Sequence, residues 1–388
     1  MKIAVVGGAL QGLEVAYLAR KAGFRVLLVD RRSPVPASGL CHAFRQADVT
    51  DETVLDLVLR DAHLVFPALE SPVALDRLHA WALKRGIPMI HDPRAYAVSS
   101  SKIASEGFFR SHDIPIPSTW PGCRFPVIAK PSYGSGSQGI RIFDAPEELH
   151  RVVGSDPAAG GWIVQEFVSG PAYSVEVIRQ NGLASAIQVT DLHMDARYDC
   201  KRVTAPSRLP AEAQGRLGDL ALRMADALGL EGIMDVEAVL HDGRWRVLEI
   251  DARFPSQTPI AVHASCGINM VETLVAGALE REVQWRSKRR HPVRGAVLEH
   301  IRVTPGRLEV TGEHAIACAR SLSVHPDFFG ADEAITDVAD ERQEWVATLI
   351  CTGGDLMEAR ARRDRTVAAI CRRWDIRHAV DPSPARDD

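Results

Sequence analysis

The chain has 388 residues, enough for two or three domains with a cleft between them. Hydrophobic residues make up 46% and charged residues 25%, and the formal net charge is −4, so neither nucleic acid nor a membrane is an expected partner. Seven scattered cysteines without a CxxC pair exclude a disulfide framework and a cysteine zinc site, and they suit a reducing cytoplasm.

Residues 1–10 are apolar, but Gln11 and Glu14 follow at once with no small-residue cleavage site. That pattern predicts a buried first strand and not a signal peptide. No run of about 20 apolar residues suggests a membrane span. After the run over 2–6 come Gly7-Gly8-Ala9-Leu10-Gln11-Gly12, a helical pattern stopped by Gly23, and a second apolar run ending in Asp30. Strand, glycine turn, helix and strand make a βαβ unit. A strand over 63–67, a helix over 73–84 and a strand over 87–90 continue the alternation, so residues 1–92 are expected to form a Rossmann-like domain.

A helix carrying Lys102 opens the next segment, and Pro115 and Pro117 close it. Strands over 125–130 and 140–143 flank a glycine- and serine-rich loop, followed by a helix over 145–153 and a strand over 162–167. Residues 93–168 are read as one lobe. Strands dominate 173–240 around a helix over 211–228, and 169–290 is read as a larger lobe. Residues 291–380, with a helix over 355–374, are read as an α/β extension, and 381–388 as a disordered tail. The basic run Lys288-Arg289-Arg290-His291 reads as a solvated loop.

Three motifs carry chemistry. The glycine turn at 7–12 sits at a helix N-terminus, where backbone N–H groups favour an anion, with Asp30 placed to hold ribose hydroxyls. Ala9 breaks the GxGxxG spacing, so a structural turn and a nucleotide or amino-acid site both fit, and hydride transfer is disfavoured. The second motif is Lys130 at a strand end before Gly134-Ser135-Gly136-Ser137-Gln138-Gly139. Glycines admit a polyphosphate close to the backbone, serines donate hydrogen bonds and the lysine supplies charge. The lysine precedes the glycines and the segment runs strand to strand, so it is not a Walker loop. Lys102 taken alone fits a solvated helix position equally well.

The third motif is the pair of strands over 233–240 and 245–251. Period-two alternation puts Asp235 and Glu237 on one face of the first, and Glu249 and Asp251 on one face of the second. The faces agree if the connecting loop has an odd number of residues, for instance three centred on Gly243, which sets Glu237 opposite Glu249 and Asp235 opposite Asp251. Four carboxylates together need cations, and oxygen ligands select Mg²⁺ or Mn²⁺. Arg253 falls on the same face, suited to a phosphate oxygen. A solvent-facing acidic hairpin is the alternative.

With these residues in view the chain resembles the ATP-grasp superfamily over about residues 1–290. The marks are Lys102, Lys130 with its glycine loop, Gln165-Glu166-Phe167-Val168, Ser174-Val175-Glu176, and the trio Glu237, Glu249 and Asp251. The resemblance implies an α/β and α+β fold: a Rossmann-like pre-ATP-grasp domain, then a two-lobed ATP-grasp fold, here with a C-terminal extension. It implies ATP held by Lys102, Lys130, Ser135, Gly136, Ser137, Gln165, Glu166, Phe167, Val168 and Ser174. Two Mg²⁺ ions, or Mn²⁺, would lie on Glu237, Glu249 and Asp251, with Lys130, Arg253 and Asp235 as catalytic groups.

Within that superfamily, the stretches over 232–238 and 249–259, with Tyr198-Asp199-Cys200 and Leu10-Gln11-Gly12, are similar to the 3-methylornithine–lysine ligase family of pyrrolysine biosynthesis. That likeness implies a reaction in which ATP phosphorylates the carboxylate of (3R)-3-methyl-D-ornithine and the ε-amine of L-lysine displaces the phosphate. The ornithine would meet Glu176, Asp235, Ser256, Gln257 and Thr258. The lysine, or a second nucleotide, would lie near Leu10, Gln11, Asp30, Asp48, Val49 and Glu70. The family pattern has a lysine before Leu-Gln-Gly, where this chain has Ala9. Asp235 or Asp199 is expected to take the amine proton. A homodimer is compatible with this reading. Rival readings are an ATP-grasp ligase or carboxylase with another acceptor, and a non-catalytic nucleotide sensor.

Overall fold

The computed structural model describes residues 1–134, 136–279, 293–339 and 342–384. Ser135 and the basic run at 288–291 lie outside the described residues, as do residues 385–388 of the expected tail.

The first layer is β1 (Lys2–Val6), α1 (Leu10–Lys21), β2 (Arg25–Asp30), β3 (Ala43–Gln46), α2 (Glu52–Leu59), β4 (Leu64–Pro67) and α3 (Pro72–Arg85). Its four strands are parallel in the order β3-β2-β1-β4. β1, β2 and β4 are almost wholly buried, as strands covered on both faces must be, which is why they read as unbroken apolar runs. Asp51 and Ser71 cap α2 and α3 through their side chains, and Gly86 (φ 63°) ends α3 in the left-handed conformation.

Two expectations for this layer need correction. Residues 87–90 do not form a strand; Met89 alone bridges Val65, because Pro88 has no N–H to extend a ladder. β3 was not expected: it is a partly exposed edge strand whose sequence, Ala-Phe-Arg-Gln, shows no alternation.

α4 (Pro93–Ser99) and α5 (Lys102–Ser111) lead into a small lobe of β5 (Val127–Pro131), β6 (Arg141–Phe143), α6 (Pro146–Val153) and β7 (Trp162–Glu166). The antiparallel order is β6-β5-β7, and Val127, Ala129, Phe143, Leu149, Val153 and Val164 form the lobe's own core.

The rest of the chain builds one large sheet. Its elements are β8 (Ala172–Gln180), β9 (Leu183–Met194), β10 (Cys200–Ala205), α7 (Ala211–Leu228), β11 (Gly232–His241), β12 (Arg244–Asp251), α8 (Thr258–Cys266), α9 (Met270–Ala278), β13 (Gly295–Thr304), β14 (Arg307–Val310), α10 (His314–Ala317), β15 (Ser323–Pro326), β16 (Glu333–Thr336), β17 (Trp345–Gly353), α11 (Leu356–Arg373) and β18 (His378–Val380). The order is β12-β11-β8-β9-β10-β13-β17-β16-β15, with β14 between β13 and β18. The sheet passes through the junction expected near 290: β13 pairs with β10, so the C-terminal segment extends the large lobe's sheet. Nor does the chain become a free tail at Asp381. Its carboxylate pairs with Lys201 (2.6 Å) and Arg202 (2.5 Å), and Lys201 also donates to Ser383 Oγ (3.2 Å).

The first layer docks on this sheet through α1. Glu14 Oε2 accepts from Ile260 N (3.1 Å), Asn269 Nδ2 donates to Leu18 O (2.8 Å), and Tyr17 O–H donates to Glu333 (2.6 Å). One apolar cluster runs from Val5 and Leu18 through Ile260 and Leu274 to Leu298 and Ile350. Among the described residues no single helix is long and apolar enough to cross a membrane; α8 and α9 together pass such a test, but they bend by 98° and their apolar residues belong to this cluster.

The β11–β12 hairpin is connected by Asp242 (φ 48°) and Gly243 (φ 72°), a two-residue turn of the kind that suits strand twist. The expected odd loop is therefore incorrect, yet Asp235 does face Asp251 and Glu237 does face Glu249. A β-bulge at Leu248 reconciles the two: pairing runs His241–Arg244 to Ala238–Val247, then resumes at Glu237–Glu249. The extra residue shifts the phase, so Trp245 and Val247 before it and Ile250 and Ala252 after it all enter the same core.

Glycines set the packing limits. A methyl on Gly12 would sit 2.0 Å from Gly7 O, whereas Gly215 on α7 faces open space. Gly12→Ala should lose about 1–3 kcal/mol from this overpacking, and Gly215→Ala should gain about 0.4–1 kcal/mol by restricting the unfolded chain. Urea midpoints of the two variants check both signs.

Candidate active site

The hairpin and β8 lay two rows of polar side chains across the sheet. Glu176, Asp235 and Asp251 form one row, and Ser174, Glu237 and Glu249 the next. Beneath them Met234, Val236, Ala238 and Ile250 are in the core, so the carboxylates can face only the cleft. Burial is the first cause of their altered acidity and mutual repulsion adds to it: Glu237 is pushed up to about 8, Asp251 to about 7, and Asp235 well above the carboxylate range. Burial also lifts Glu176 to about 7.

Three cations answer this charge. Lys102 Nζ lies 2.9 Å from Glu249 Oε1, and Arg253 Nη2 lies 2.8 Å from Asp251 Oδ2 and 3.1 Å from Glu70 Oε1. Lys130, at the end of β5, is buried; burial lowers its pKa while Glu249 and Glu237 oppose that shift. Lys102 also donates to Gly134 O (2.7 Å), and Ser137 Oγ donates to Tyr198 O (2.7 Å). The glycine loop is thus tied at both ends across the cleft, with Gly134 at φ 115° and Gly136 at φ 62°.

Two cavities meet at Lys130, Ser137, Glu237 and Glu249. The first, about 710 Å³, is lined by Gln165, Glu166, Phe167 and Val168 with Ile128, Leu192, Val239 and Leu248. This is an apolar slot with polar ends, sized for a nucleotide. The second, about 520 Å³, holds Lys102, Gly136, Asp235, Asp251, Arg253, Ser256, Gln257 and Thr258, together with Leu10, Gln11, Asp30 and Glu70 from the first layer.

Some expected residues lie elsewhere. Asp48 is exposed, with Oδ1 accepting from Thr50 N (3.0 Å), and Val49 is buried in the first layer's core; neither is among the residues lining these two cavities. Ser174 and Glu176 lie fully buried beside the cavity walls. Asp30 does line the second cavity, where its carboxylate accepts from Gly8 N and Arg32 N (both 2.8 Å). The tight packing of Gly7, Gly8 and Gly12 makes the glycine turn a packing feature first.

Other residues of the site carry no sequence signal. Glu313, half-buried, accepts from Ser256 Oγ and Gln257 Nε2 (both 2.7 Å) from 56 or more residues away. Gln257 holds φ 71°, a strained value for a side-chain-bearing residue, at the N-terminus of α8. Lys201, Arg202 and Asp381 close the far side of the nucleotide cavity.

The donor set fits divalent cations bridging to phosphates. It is all oxygen, its carboxylates repel one another, and Asp235 Oδ1 is buried with no hydrogen-bond partner among the described residues.

Comparison with known proteins agrees with this geometry. Residues 99–257 match the family model of the ATP-grasp domain. The fold is that of N5-carboxyaminoimidazole ribonucleotide synthetase from Thermotoga maritima (TM-score 0.66, 20% identity, 95% of this chain and 98% of that one) and of biotin carboxylase from Campylobacter jejuni (TM-score 0.72, 14% identity, 95% and 91%). Fold and site together define an ATP-grasp enzyme, a class that binds ATP or ADP with Mg²⁺. The sequence is 31% identical to 3-methyl-D-ornithine–L-lysine ligase of Methanosarcina mazei over 96% of both chains, and 36% identical to that of Methanosarcina barkeri over 70% and 72%. The chain belongs to this family of ATP-grasp ligases.

Glu176, Glu237 and Asp251 keep protons in the folded chain that they release on unfolding near neutrality. Their contribution is complete below the unfolded carboxylate range of about 4 and is lost as pH rises through about 7 to 8. In chelator, the melting temperature should therefore fall between pH 5 and 9, and Asp251→Asn should flatten that slope. A melting series with and without Mg²⁺ and ATP checks this, the ligands raising the alkaline end most.

Proposed function

We propose that this chain joins the carboxylate of (3R)-3-methyl-D-ornithine to the ε-amine of L-lysine, with cleavage of ATP to ADP and phosphate, in pyrrolysine biosynthesis. The observation that carries the reading is the 31% identity over 96% of both chains. The setting is the cytoplasm, where ATP is supplied and free cysteines persist.

A carboxylate does not acylate an amine in water until one oxygen becomes a leaving group. In the apolar slot the adenine lies along the edge made by Glu166, Phe167 and Val168, and the polyphosphate runs under the glycine loop toward Lys102 and Lys130. Glu237, Glu249 and Asp251 would hold two Mg²⁺ or Mn²⁺ ions, which would supply charge neutralisation of the phosphates. Arg253 and Lys130 stabilise negative charge on the carboxylate oxygens as the acyl phosphate forms. The amino groups of the ornithine meet Asp235, behind which Glu176 is buried on the neighbouring strand, and Ser256, Gln257 and Thr258 meet its polar edge. The tethered loop keeps water from the acyl phosphate.

The lysine lies toward Leu10, Gln11 and Glu70. Its carboxylate needs a cation there, and Ala9 cannot provide one. Arg32, which lines that end of the cavity with Nε 3.5 Å from Asp30 Oδ1, takes this role.

Three outcomes are expected. Mass spectrometry should find the isopeptide from 3-methyl-D-ornithine, L-lysine, ATP and Mg²⁺, and absence of both product and ADP release would remove the reading. Glu249→Gln should lower kcat by about 10²–10³-fold. Arg32→Ala should raise KM for lysine severalfold and leave that for the ornithine unchanged, which initial-rate kinetics with each substrate varied will show.

A further inference from the structure

The amine proton raises a problem that the carboxylate rows do not solve. L-Lysine arrives as an ammonium ion, with a pKa near 10.4, and nitrogen must lose a proton before it can attack. Asp235 is an awkward acceptor, because it stands between Glu176 and Asp251 in the row that faces the cations.

On the opposite wall of the same cavity, the β9–β10 turn and the start of α10 meet. Asp199, buried in that turn, accepts through Oδ2 from both His314 N (3.0 Å) and His314 Nδ1 (2.6 Å). Asp195 braces the turn: Oδ1 accepts from Arg197 N (2.7 Å) and Asp199 N (3.1 Å), and Oδ2 from Gly312 N (3.1 Å). A methyl on Gly312 would meet Asp199 Oδ2 at 2.2 Å, so glycine is what lets that carboxylate reach the imidazole. Donation from Nδ1 to a carboxylate fixes the neutral tautomer and leaves the lone pair on Nε2. Among the described residues Nε2 has a single long approach, to Thr311 Oγ1 (3.4 Å), and it belongs to a side chain 44% exposed that lines the cavity with Asp235, Glu249 and Arg253.

Position ties this pair to both halves of the reaction. The neighbouring residue, Glu313, grips Ser256 and Gln257, and Tyr198, beside Asp199, receives Ser137 of the glycine loop. The loop's anchor, Tyr198, and the residue that holds the imidazole, Asp199, are therefore neighbours in the chain. The charged and titratable groups around the ring are Asp195 and Asp199 from the turn, Glu313 on its own segment and His300 from β13. Asp195, Asp199 and His314 are also spaced like metal ligands. The oxygens of Asp195 are already taken by three N–H groups, however, so hydrogen bonds account for the cluster without an ion.

We propose that His314, oriented by Asp199, is the general base that deprotonates the attacking amine. The inference rests on the ligase reading above. The ammonium gives one proton to Nε2, and the N–C bond forms as the carbonyl carbon–oxygen bond to phosphate breaks. The second nitrogen proton leaves with the phosphate, which departs as hydrogen phosphate. His314 is the catalytic residue in this step and Asp199 a positioning residue.

Hydroxylamine separates the two halves of the reaction, since its nitrogen is unprotonated at neutral pH and traps an acyl phosphate without a base. With ATP, Mg²⁺ and 3-methyl-D-ornithine, His314→Gln should still form hydroxamate, while ligation to lysine at pH 7 falls about 10²–10⁴-fold. That loss should shrink as pH approaches 10 and the free amine becomes abundant. Asp199→Asn should show the same selective loss in smaller measure, with a displaced pH profile. Equal loss of hydroxamate and ligation in His314→Gln, or a ligation pH profile like that of the wild type, would overturn the base assignment alone. Absence of hydroxamate in the wild type would overturn the ligase reading and the base with it.

Discussion

Four carboxylates share one face of a two-stranded hairpin whose other face is core. Asp235, Glu237, Glu249 and Asp251 cannot turn away, because Met234, Val236 and Ile250 anchor the alternate positions in apolar packing. Burial in a low-dielectric cleft raises the pKa values of Glu237 and Asp251, and repulsion between like charges adds to it. The rest of the site answers that constraint. Lys102 reaches it from α5, Lys130 from β5 and Arg253 from the strand end, and the proposed divalent cations and polyphosphate would complete the charge balance.

The lobes take their positions from the same need. Lys102 touches both Glu249 and the glycine loop, so the cation that relieves a carboxylate also fixes the lid. The first layer contributes Glu70 to Arg253 and closes the substrate cavity with Leu10 and Gln11. Its docking on α8 and α9 through Glu14 and Asn269 therefore belongs to the architecture of the site as much as to stability. The C-terminal strands have a comparable part. They continue the large sheet and deliver Glu313 and His314 to one wall of the substrate cavity, and Asp381 to the nucleotide cavity.

Local patterns were legible wherever one face of an element is buried and the other wet. The hairpin, α7, the Rossmann-like layer and the lysine before the glycine loop all follow from period and turn chemistry. Elements without such contrast were not: β3 is a partly exposed edge, and residues 87–90 looked apolar but contain Pro88. The expected pairing of the carboxylates matched the structure, although the odd loop invoked for it did not. A two-residue Asp-Gly turn and a bulge at Leu248 reach the same pairing, because the core demands that Trp245, Val247, Ile250 and Ala252 face one way. A bulge has no pattern of its own in a strand where Leu248 and its neighbours are all good strand formers.

What the sequence determined by itself was the chemistry of the centre: which carboxylates, which lysines and which glycines are near one another along the chain, and the family they resemble. Only the tertiary structure decided what lies around that centre. It brought Glu313 and His314 to residues 56 to 115 positions away, moved Asp48 and Val49 out of the cleft, tied Asp30 at the cavity wall to its own loop, and set the chain from Asp381 against Lys201. The physical reason is range. Alternation and turn preferences act over a few residues, whereas a cleft wall is chosen by how whole sheets and helices bury their apolar faces together.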